Sequence, residues 1–279
     1  MVESGTWQPT TFLRYVRTVA SSSRVALIHT DAGPAYLKAT NNPQGAHVLA
    51  CDWFGTRLAQ RVGLRTFDVA VIELTESDEI PLDQSVLAEP GPAFVARAEQ
   101  GSTMGGAKAL SSVENIDDIA RLIVFDTWVR NCDRYGPGLG RDGEARMNLD
   151  NLFLSAEGAA EGMFTLKAID HGHVLTCGGL IDRRLANIDN THDERLYGLF
   201  PFFRGYVSAD QINQAGALLS NVSSELWNDL LAAIPGAWGV SKEGLQAIDG
   251  FLLARAHFLV DNLNRMVHSE LNPGTLDFE

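Results

Sequence analysis

Apolar and polar residues alternate over short stretches in the first hundred residues, which is typical of β-strands. A turn at 30–34, containing Gly33 and Pro34, joins the first two stretches and favours a hairpin. The predicted strands are residues 24–29, 36–38, 67–74 and 94–97. The beginning of the chain is therefore predicted to be mostly β-structure.

One helix is predicted between the second and third of these strands. The run 41–43 (NNP) supplies an N-cap and a first-turn proline, and Gly63 is typical of a helix end. Between these signals the apolar residues recur with helical period: Ala46, Leu49, Ala50, Trp53, Leu58 and Val62.

The pattern changes after about residue 106. An apolar helical stripe runs to Asn131, and two helix starts are possible, Ser111-x-x-Glu114 and Asn115-x-x-Asp118. Two short strands are predicted at 151–154 and 164–169. From Ser208, which forms a capping box with Gln211, the chain is predicted to be helical, with a long last helix at about 242–267.

A β-rich first part followed by a helical second part predicts an α+β fold with two lobes. We expect residues 1–100 to form an N-terminal lobe and residues 101–279 a helical C-terminal lobe. The connection between them is expected near residues 98–110.

Charge and composition narrow the classes of function. The 279 residues include 35 acidic and 22 basic side chains, a net charge of -13, which argues against sequence-independent binding to nucleic acid or to an anionic membrane. No apolar run is long enough to span a membrane and the first residues do not resemble a signal peptide, so a cytoplasmic location is expected. The three cysteines show neither a disulfide framework nor zinc-site spacing.

Four residues carry the chemistry. Asp133 follows the predicted apolar helix, Asn151 precedes a strand, and Asp170 ends another strand. Phosphoryl transfer needs one carboxylate to orient the attacking hydroxyl, and an amide and a second carboxylate to hold magnesium against the phosphates. Lys38, on an early strand, would supply a fixed positive charge for the phosphates of a nucleotide.

Other interpretations of these residues remain open. Asp133 could instead pair with Arg134 at the end of a helix. Asp170 could join His171 and His173 in the metal site of a hydrolase, although no other histidine lies at a matching spacing. An unpaired carboxylate at the end of an apolar strand is costly, which favours a binding role for Asp170.

The order of these segments resembles the HipA-like kinases, specifically their compact stand-alone group. The matching segments are YLK at 36–38, NPQG at 42–45, VLACDWFGTRLAQRVGL at 48–64, FDTWVRNCDR at 125–134, NLFL at 151–154 and AIDHGHVL at 168–175. The resemblance implies a bacterial enzyme with a protein-kinase-like fold that uses ATP and Mg²⁺. It also implies that Lys38 binds the ATP phosphates, Asp133 is the catalytic base, Asn151 is a magnesium ligand and Asp170 is the main magnesium ligand.

Three features differ from the family pattern. The helix residue that pairs with the lysine is usually glutamate, and the nearest carboxylate here is the shorter Asp52. An insertion at 136–150 separates Asp133 from its asparagine, so that Asn148 competes with Asn151 for the magnesium role. No glycine-rich loop precedes Lys38, and the run 21–23 (SSS) lies where backbone contacts to phosphate are expected.

The resemblance implies a kinase that transfers the γ-phosphate of ATP to a serine or threonine of a protein. Two alternatives are a small-molecule or peptide kinase of the same fold and a nucleotide-binding pseudokinase that acts as an interaction module. The expected partners are the phosphate acceptor and an inhibitory protein, since several HipA-like kinases belong to toxin–antitoxin pairs. Arg141 and Arg146 in the insertion are further candidates for a contact with substrate or phosphates, with a solvated loop as the alternative.

Overall fold

The computed structural model describes residues 7–140 and 143–271. Its strands are β1 (Phe12–Val19), β2 (Val25–Thr30), β3 (Gly33–Lys38), β4 (Val69–Leu74), β5 (Gly91–Arg97), β6 (Gly101–Thr103), β7 (Tyr135–Gly136), β8 (Arg146–Met147), β9 (Leu152–Ser155) and β10 (Thr165–Ala168). Its helices are α1 (His47–Arg61), α2 (Asp118–Val129), α3 (Ile188–Thr191), α4 (Ala209–Gly216), α5 (Asn228–Ala232) and α6 (Lys242–Leu271).

Five strands form an antiparallel sheet in the order β1, β2, β3, β5, β4. Because successive side chains of a strand point to opposite faces, β3 places Ala35 and Leu37 on one face and Tyr36 and Lys38 on the other. The first face packs on apolar residues of the β4–β5 connection, including Ile80, Leu82 and Ala88. The second face is directed to α1 and to the cavity described below.

The predicted hairpin is confirmed, with Leu27 paired to Tyr36 across β2 and β3. Strand β1 was not predicted. It is an edge strand with mostly exposed side chains, and its register with β2 is irregular, with shifts between Phe12 and Arg14 and between Tyr15 and Arg17. Irregular pairing at an edge removes the strict alternation by which a strand is recognised.

Helix α1 begins at His47, later than the predicted start at 41–43. The Asn42 side chain does not cap a helix. It accepts a hydrogen bond from the Gln44 N–H and donates one to the Ser23 carbonyl oxygen at 3.1 Å. Asn42 therefore stabilises a turn and fastens it to the β1–β2 loop. The predicted helix end is confirmed, with Gly63 in the left-handed region at φ 78°.

Helix α2 begins at Asp118, so the start at Ser111 is wrong. Ser111 lies in a short 3₁₀ helix, and the Asn115 side chain bonds to the backbone of β10, where it accepts the Leu166 N–H at 2.7 Å. A second sheet has the order β10, β9, β6. The predicted strands β9 and β10 are confirmed, whereas β6 lies in the expected connection and was not predicted.

The C-terminal part packs around α6, which is 30 residues long and ends at Leu271, four residues beyond the prediction. The Ser208–Gln211 capping box is confirmed at the start of α4. Helix α6 also contacts α2, since the Trp128 indole N–H donates to the Leu252 carbonyl oxygen at 2.9 Å. No helix in the described residues is both long and apolar enough to cross a membrane.

The mixed α/β composition and the antiparallel sheet are thus confirmed. The division into lobes at residue 100 stays a prediction.

Candidate functional site

Lys38, at the end of β3, lies between two carboxylates. Its Nζ atom is 2.8 Å from Asp52 Oδ2 and 2.9 Å from Asp170 Oδ1. Asp52 comes from α1, so the shorter side chain does reach the lysine. Its second oxygen accepts the backbone N–H of His171 at 2.8 Å, which ties α1 to the segment after β10.

Burial and the neighbouring charges shift the pKa values of Lys38, Asp52 and Asp170 in opposite directions. Burial alone would lower the pKa of Lys38, but the charges of Asp170 and Asp52 raise it above its ordinary value. Desolvation would raise the pKa of Asp170, but the Lys38 ammonium holds it below its ordinary value. Burial raises the pKa of Asp52, and Lys38 opposes that rise. Lys38 therefore stays charged and Asp170 stays a carboxylate.

Two glycines let α1 lie directly against the Asp170 segment. A Cβ atom on Gly55 would lie 2.8 Å from the Cβ of His171, and one on Gly172 would lie 2.8 Å from a methyl group of Val48. Asp170 itself has a positive φ of 55°, which aspartate tolerates better than most residues. This close approach explains how the aspartate at position 52 reaches Lys38.

Asp133 is bound by both candidate asparagines. Its Oδ2 atom accepts the side-chain amide of Asn151 at 2.9 Å and that of Asn148 at 3.3 Å. The Asn148 amide also donates to Asn151 Oδ1 at 3.2 Å. Asn151 is buried, and Asn148 caps the short 3₁₀ helix Leu149–Asn151. The two asparagines that the sequence left open thus share one hydrogen-bond cluster around Asp133.

Arg146 covers the other carboxylate oxygen of Asp133. Its guanidinium forms an ion pair with Oδ1, and the contact lacks the alignment of a hydrogen bond. Arg146 lies on β8, opposite Gly136 of β7, so the insertion folds as a short hairpin beside Asp133. The contact of Arg146 with substrate or phosphates stays a prediction, and Arg141 lies outside the described residues.

Arg134 does not pair with Asp133. Its side chain is fully buried (0% exposed) and forms an ion pair with Asp126 inside α2. It also donates to the carbonyl oxygens of Asn151 at 3.2 Å and Ile169 at 2.9 Å. One guanidinium therefore joins α2, the Asn151 turn and the strand end that leads to Asp170.

His171 completes this interior network and takes no part in a metal site. Its Nε2 atom lies 3.3 Å from the Arg134 guanidinium, and its Nδ1 atom lies 2.9 Å from the Thr56 hydroxyl oxygen. Because an arginine can only donate, Nε2 accepts and Nδ1 carries the proton. Burial and the Arg134 charge hold the pKa of His171 well below 6.5, so the imidazole is neutral.

A cavity of about 450 Å³ opens beside Lys38, between the five-stranded sheet and the three-stranded sheet. Its apolar wall includes Val25, Tyr36, Phe67, Val69, Phe94, Ala96 and Phe153. Its polar wall includes Lys38, Asp52, Thr103, Asn148, Asp150, Asn151 and Asp170. Ser21, Ser22 and Ser23 also line it, which is where the sequence placed backbone contacts to phosphate. Asp133 lies behind the two asparagines and does not line the cavity.

The donor set suits a divalent cation bound together with phosphates. The described residues contain no group of three or more His, Cys, Asp or Glu side chains that could hold a metal ion. Magnesium in kinases is usually held by one or two protein ligands and by substrate phosphates. Asp170, with 37% of its side chain exposed, and Asn151 Oδ1 are hard oxygen donors on the cavity wall.

The sequence profile of the HipA-like kinases matches residues 17–171, more than half of the chain and the part that holds every residue of this site. The chain belongs to the HipA-like kinase family. No match to a curated protein sequence is found.

Among solved structures, this HipA-like kinase is similar to the Helicobacter pylori proinflammatory kinase CtkA. The TM-score is 0.58 at 11% sequence identity, over 98% of this chain and 99% of the other. At that identity the likeness shows a shared fold. It extends beyond residue 171, so the helical part of this HipA-like kinase also follows the fold of a kinase.

Sequence reasoning named six of the carboxylate, amide and lysine groups found here, with Asn148 as the alternative to Asn151, and missed others. Asp150, which lines the cavity and accepts the Thr103 hydroxyl at 3.0 Å, was not singled out. The role of Asp126 was also missed. A signal was present, because an aspartate inside an otherwise apolar helix is rarely buried unless it is paired.

Proposed function

We propose that this HipA-like kinase uses ATP and Mg²⁺ and transfers the γ-phosphate to a serine or threonine hydroxyl of a protein, with residues 1–100 and 101–279 as the two lobes. The observation that carries the proposal is the meeting of Lys38 with Asp52 and Asp170 in the wall of a cavity that is also lined by the packed aromatic rings of Tyr36, Phe67 and Phe153. A nucleotide has the same division into an apolar base and a charged phosphate chain.

The chain's own residues would divide the binding as follows. The aromatic wall formed by Tyr36, Phe67 and Phe153 would take the base by stacking and apolar contact. Lys38 would bind phosphate oxygens, and the carboxylates of Asp52 and Asp170 fix the position of its ammonium group. Asp170 and Asn151 would hold Mg²⁺, which neutralises charge on the phosphates.

Asp133 would orient the acceptor and take its proton. In the transfer, the acceptor oxygen forms a bond to the γ-phosphorus, the bond from that phosphorus to the ADP oxygen breaks, and ADP leaves. The hydroxyl proton passes to the Asp133 carboxylate and then to solvent. Asn151, which donates to Asp133 Oδ2, would connect the base to the metal end of the site.

Nucleotide binding and turnover test this proposal. We expect Mg²⁺-ATP to raise the melting temperature of the wild-type protein and the protein to release ADP or phosphorylate itself. Asp170→Asn should lose both effects, and Asp133→Asn should keep binding but lose turnover by on the order of 10³-fold. Asp182→Asn, at an exposed pair with Arg184, is the matched control and should behave as wild type. A folded wild-type protein that binds no Mg²⁺-ATP would show that the proposal is wrong.

A nucleotide-binding pseudokinase is the second candidate, because Asp133 does not line the cavity and both of its oxygens are engaged. Measured turnover that disappears in Asp133→Asn would exclude it. The acceptor class needs a separate experiment, in which the kinase is incubated with a cell lysate and radiolabelled ATP. Labelled serine and threonine residues support a protein acceptor, whereas label found only in small molecules contradicts it.

A further inference from the structure

The side chains that line the cavity carry more negative than positive charge, whereas a phosphate chain calls for positive charge. Three carboxylates line it, those of Asp52, Asp150 and Asp170, and Lys38 is the one lysine or arginine among its lining residues. Lys38 is already neutralised by Asp52 and Asp170. A phosphoryl group in transfer carries negative charge on its equatorial oxygens, and among the described lining residues only Lys38 offers it a cation.

Arg146 is an arginine held beside that place. Its guanidinium contacts Asp133, the residue proposed to receive the acceptor proton, so it lies next to where the acceptor oxygen must be. Asp133 in turn contacts Asn151 on the cavity wall. The carboxylate and amide cluster therefore connects the guanidinium to the cavity wall.

The backbone of Arg146 is anchored, while its side chain lies at the surface and is held by the ion pair with Asp133. Arg146 pairs with Gly136 across the hairpin, and the Asn148 N–H donates to the Arg134 carbonyl oxygen at 2.9 Å. Gly136 lies so close to the residue before Asp133 that a Cβ atom on this glycine would be 2.8 Å from the Cys132 carbonyl oxygen. The Arg146 side chain, by contrast, is 46% exposed. The Asp133 side chain is only 11% exposed, but an ion pair with one partner at the surface is not closed off from water, so its arginine can change partners more readily than in a fully buried pair.

From this arrangement we propose that Arg146 is a catalytic residue of the transfer, supplied by the insertion hairpin, which leaves Asp133 and binds the transferring phosphoryl group. The inference rests on the proposed kinase function. Guanidinium groups bind phosphate oxygens through two parallel N–H donors, whereas Asp133 engages one guanidinium nitrogen through one oxygen, without the alignment of a hydrogen bond. The exchange also frees Asp133 Oδ1 to accept the acceptor proton.

The test compares wild type, Arg146→Ala, Arg146→Lys and the control Arg265→Ala, which breaks an exposed arginine–glutamate pair with Glu194 elsewhere. Two affinities are measured by calorimetry with Mg²⁺ present, one for ADP and one for ADP with aluminium fluoride, a mimic of the phosphoryl group in transfer. The rate of γ-phosphate loss from ATP is measured in single turnovers.

We expect Arg146→Ala to bind ADP as wild type does, to bind the aluminium fluoride complex about 100-fold more weakly, and to lose turnover by on the order of 10³-fold. Arg146→Lys should recover part of both losses, because it restores the charge without the paired donors. Arg265→Ala should match wild type.

Equal affinity of wild type and Arg146→Ala for the aluminium fluoride complex would overturn the inference. Turnover that rises in Arg146→Ala would also overturn it and would show that the arginine only covers Asp133. If the kinase proposal itself is wrong, the result is different, because the wild type then binds neither ADP nor ADP with aluminium fluoride.

Discussion

Two arginines lie close to Asp133 in the chain or in space, Arg134 in the interior and Arg146 at the surface, and they differ in almost every physical respect. Arg134 lies in the interior, with no exposed surface, and contacts Asp126, His171 and two carbonyl oxygens. Arg146 lies on the insertion hairpin and contacts Asp133. Both pair with an aspartate of the same short region, but only one of the two pairs is out of reach of water.

The difference separates what holds the site from what acts in it. A buried ion pair costs much when one partner is removed, because the other charge is left without solvent. An exposed pair contributes little to stability and its members can change partners. We therefore expect substitutions in the buried network around Arg134 to lower the stability of the protein, and substitution of Arg146 to lower its activity.

Loss of the inner arginine should have the largest effect on stability. Arg134→Met should lower the free energy of unfolding by about 3–5 kcal/mol, because Asp126 would remain buried without its charge partner. Asp126 already has one carboxylate oxygen with no hydrogen-bond partner among the described residues. Urea denaturation measures the change. The double variant Asp126→Leu/Arg134→Met should recover much of the loss, and a cost below about 1 kcal/mol in the single variant would contradict the comparison.

A conservative change at the lysine pair should have the next largest effect. Asp52→Glu keeps the charge but adds a methylene group in a buried, tightly packed position, and it should cost about 1–3 kcal/mol of unfolding free energy. The same denaturation experiment on Asp229→Glu, at an exposed pair with Arg61, supplies the control. Equal effects of the two substitutions would show that α1 is not closely packed here.

The inner network also predicts a dependence on pH. His171 stays neutral because burial and Arg134 hold its pKa well below 6.5, whereas the unfolded chain takes up a proton on this residue below that pH. Stability should therefore fall as the pH drops from about 6.5, by up to about 1.4 kcal/mol per pH unit. Denaturation curves of wild type and His171→Gln between pH 5 and 8 measure this, and parallel curves would disprove it.

The outer arginine should have the smallest effect on stability. Arg146→Ala should lower the free energy of unfolding by less than about 1 kcal/mol, because the guanidinium is 46% exposed and Asp133, at 11% exposed, keeps its hydrogen bonds from Asn148 and Asn151. Urea denaturation of this variant beside Arg134→Met compares the two sides directly. A loss as large as that of Arg134→Met would remove the distinction between them.

Elements with strong periodicity could be predicted from the sequence, and elements that depend on distant partners could not. The β2–β3 hairpin and α6 follow from local pattern. Strand β6 is three residues long and exists because β9 pairs with it, which no local pattern indicates. The start of α1 was misplaced because the Asn42 side-chain oxygen, the acceptor that an N-cap would use, accepts the Gln44 N–H in a turn, and the Asn42 amide donates to the distant Ser23 carbonyl oxygen.

The same distinction holds for the site. Asp133, Asp170 and Lys38 could be named from residue type and order, and the structure brings Lys38 and Asp170 into contact. The choice between Asn148 and Asn151 could not be made, because the fold of the insertion brings both amides to one oxygen of Asp133. The reach of Asp52 was equally hidden, since it depends on how closely a helix approaches a loop.

That close approach has a consequence for how the sequence can change. Gly55 and Asp52 lie on α1, and the helix position that suits an aspartate leaves no room for a Cβ atom at residue 55. A glutamate at residue 52 would suit a helix set farther out, where residue 55 need not be glycine. A substitution at residue 52 or at residue 55 alone would give a protein in which α1 fits poorly. We therefore expect the two residues to change together, or both to be retained, over evolutionary time.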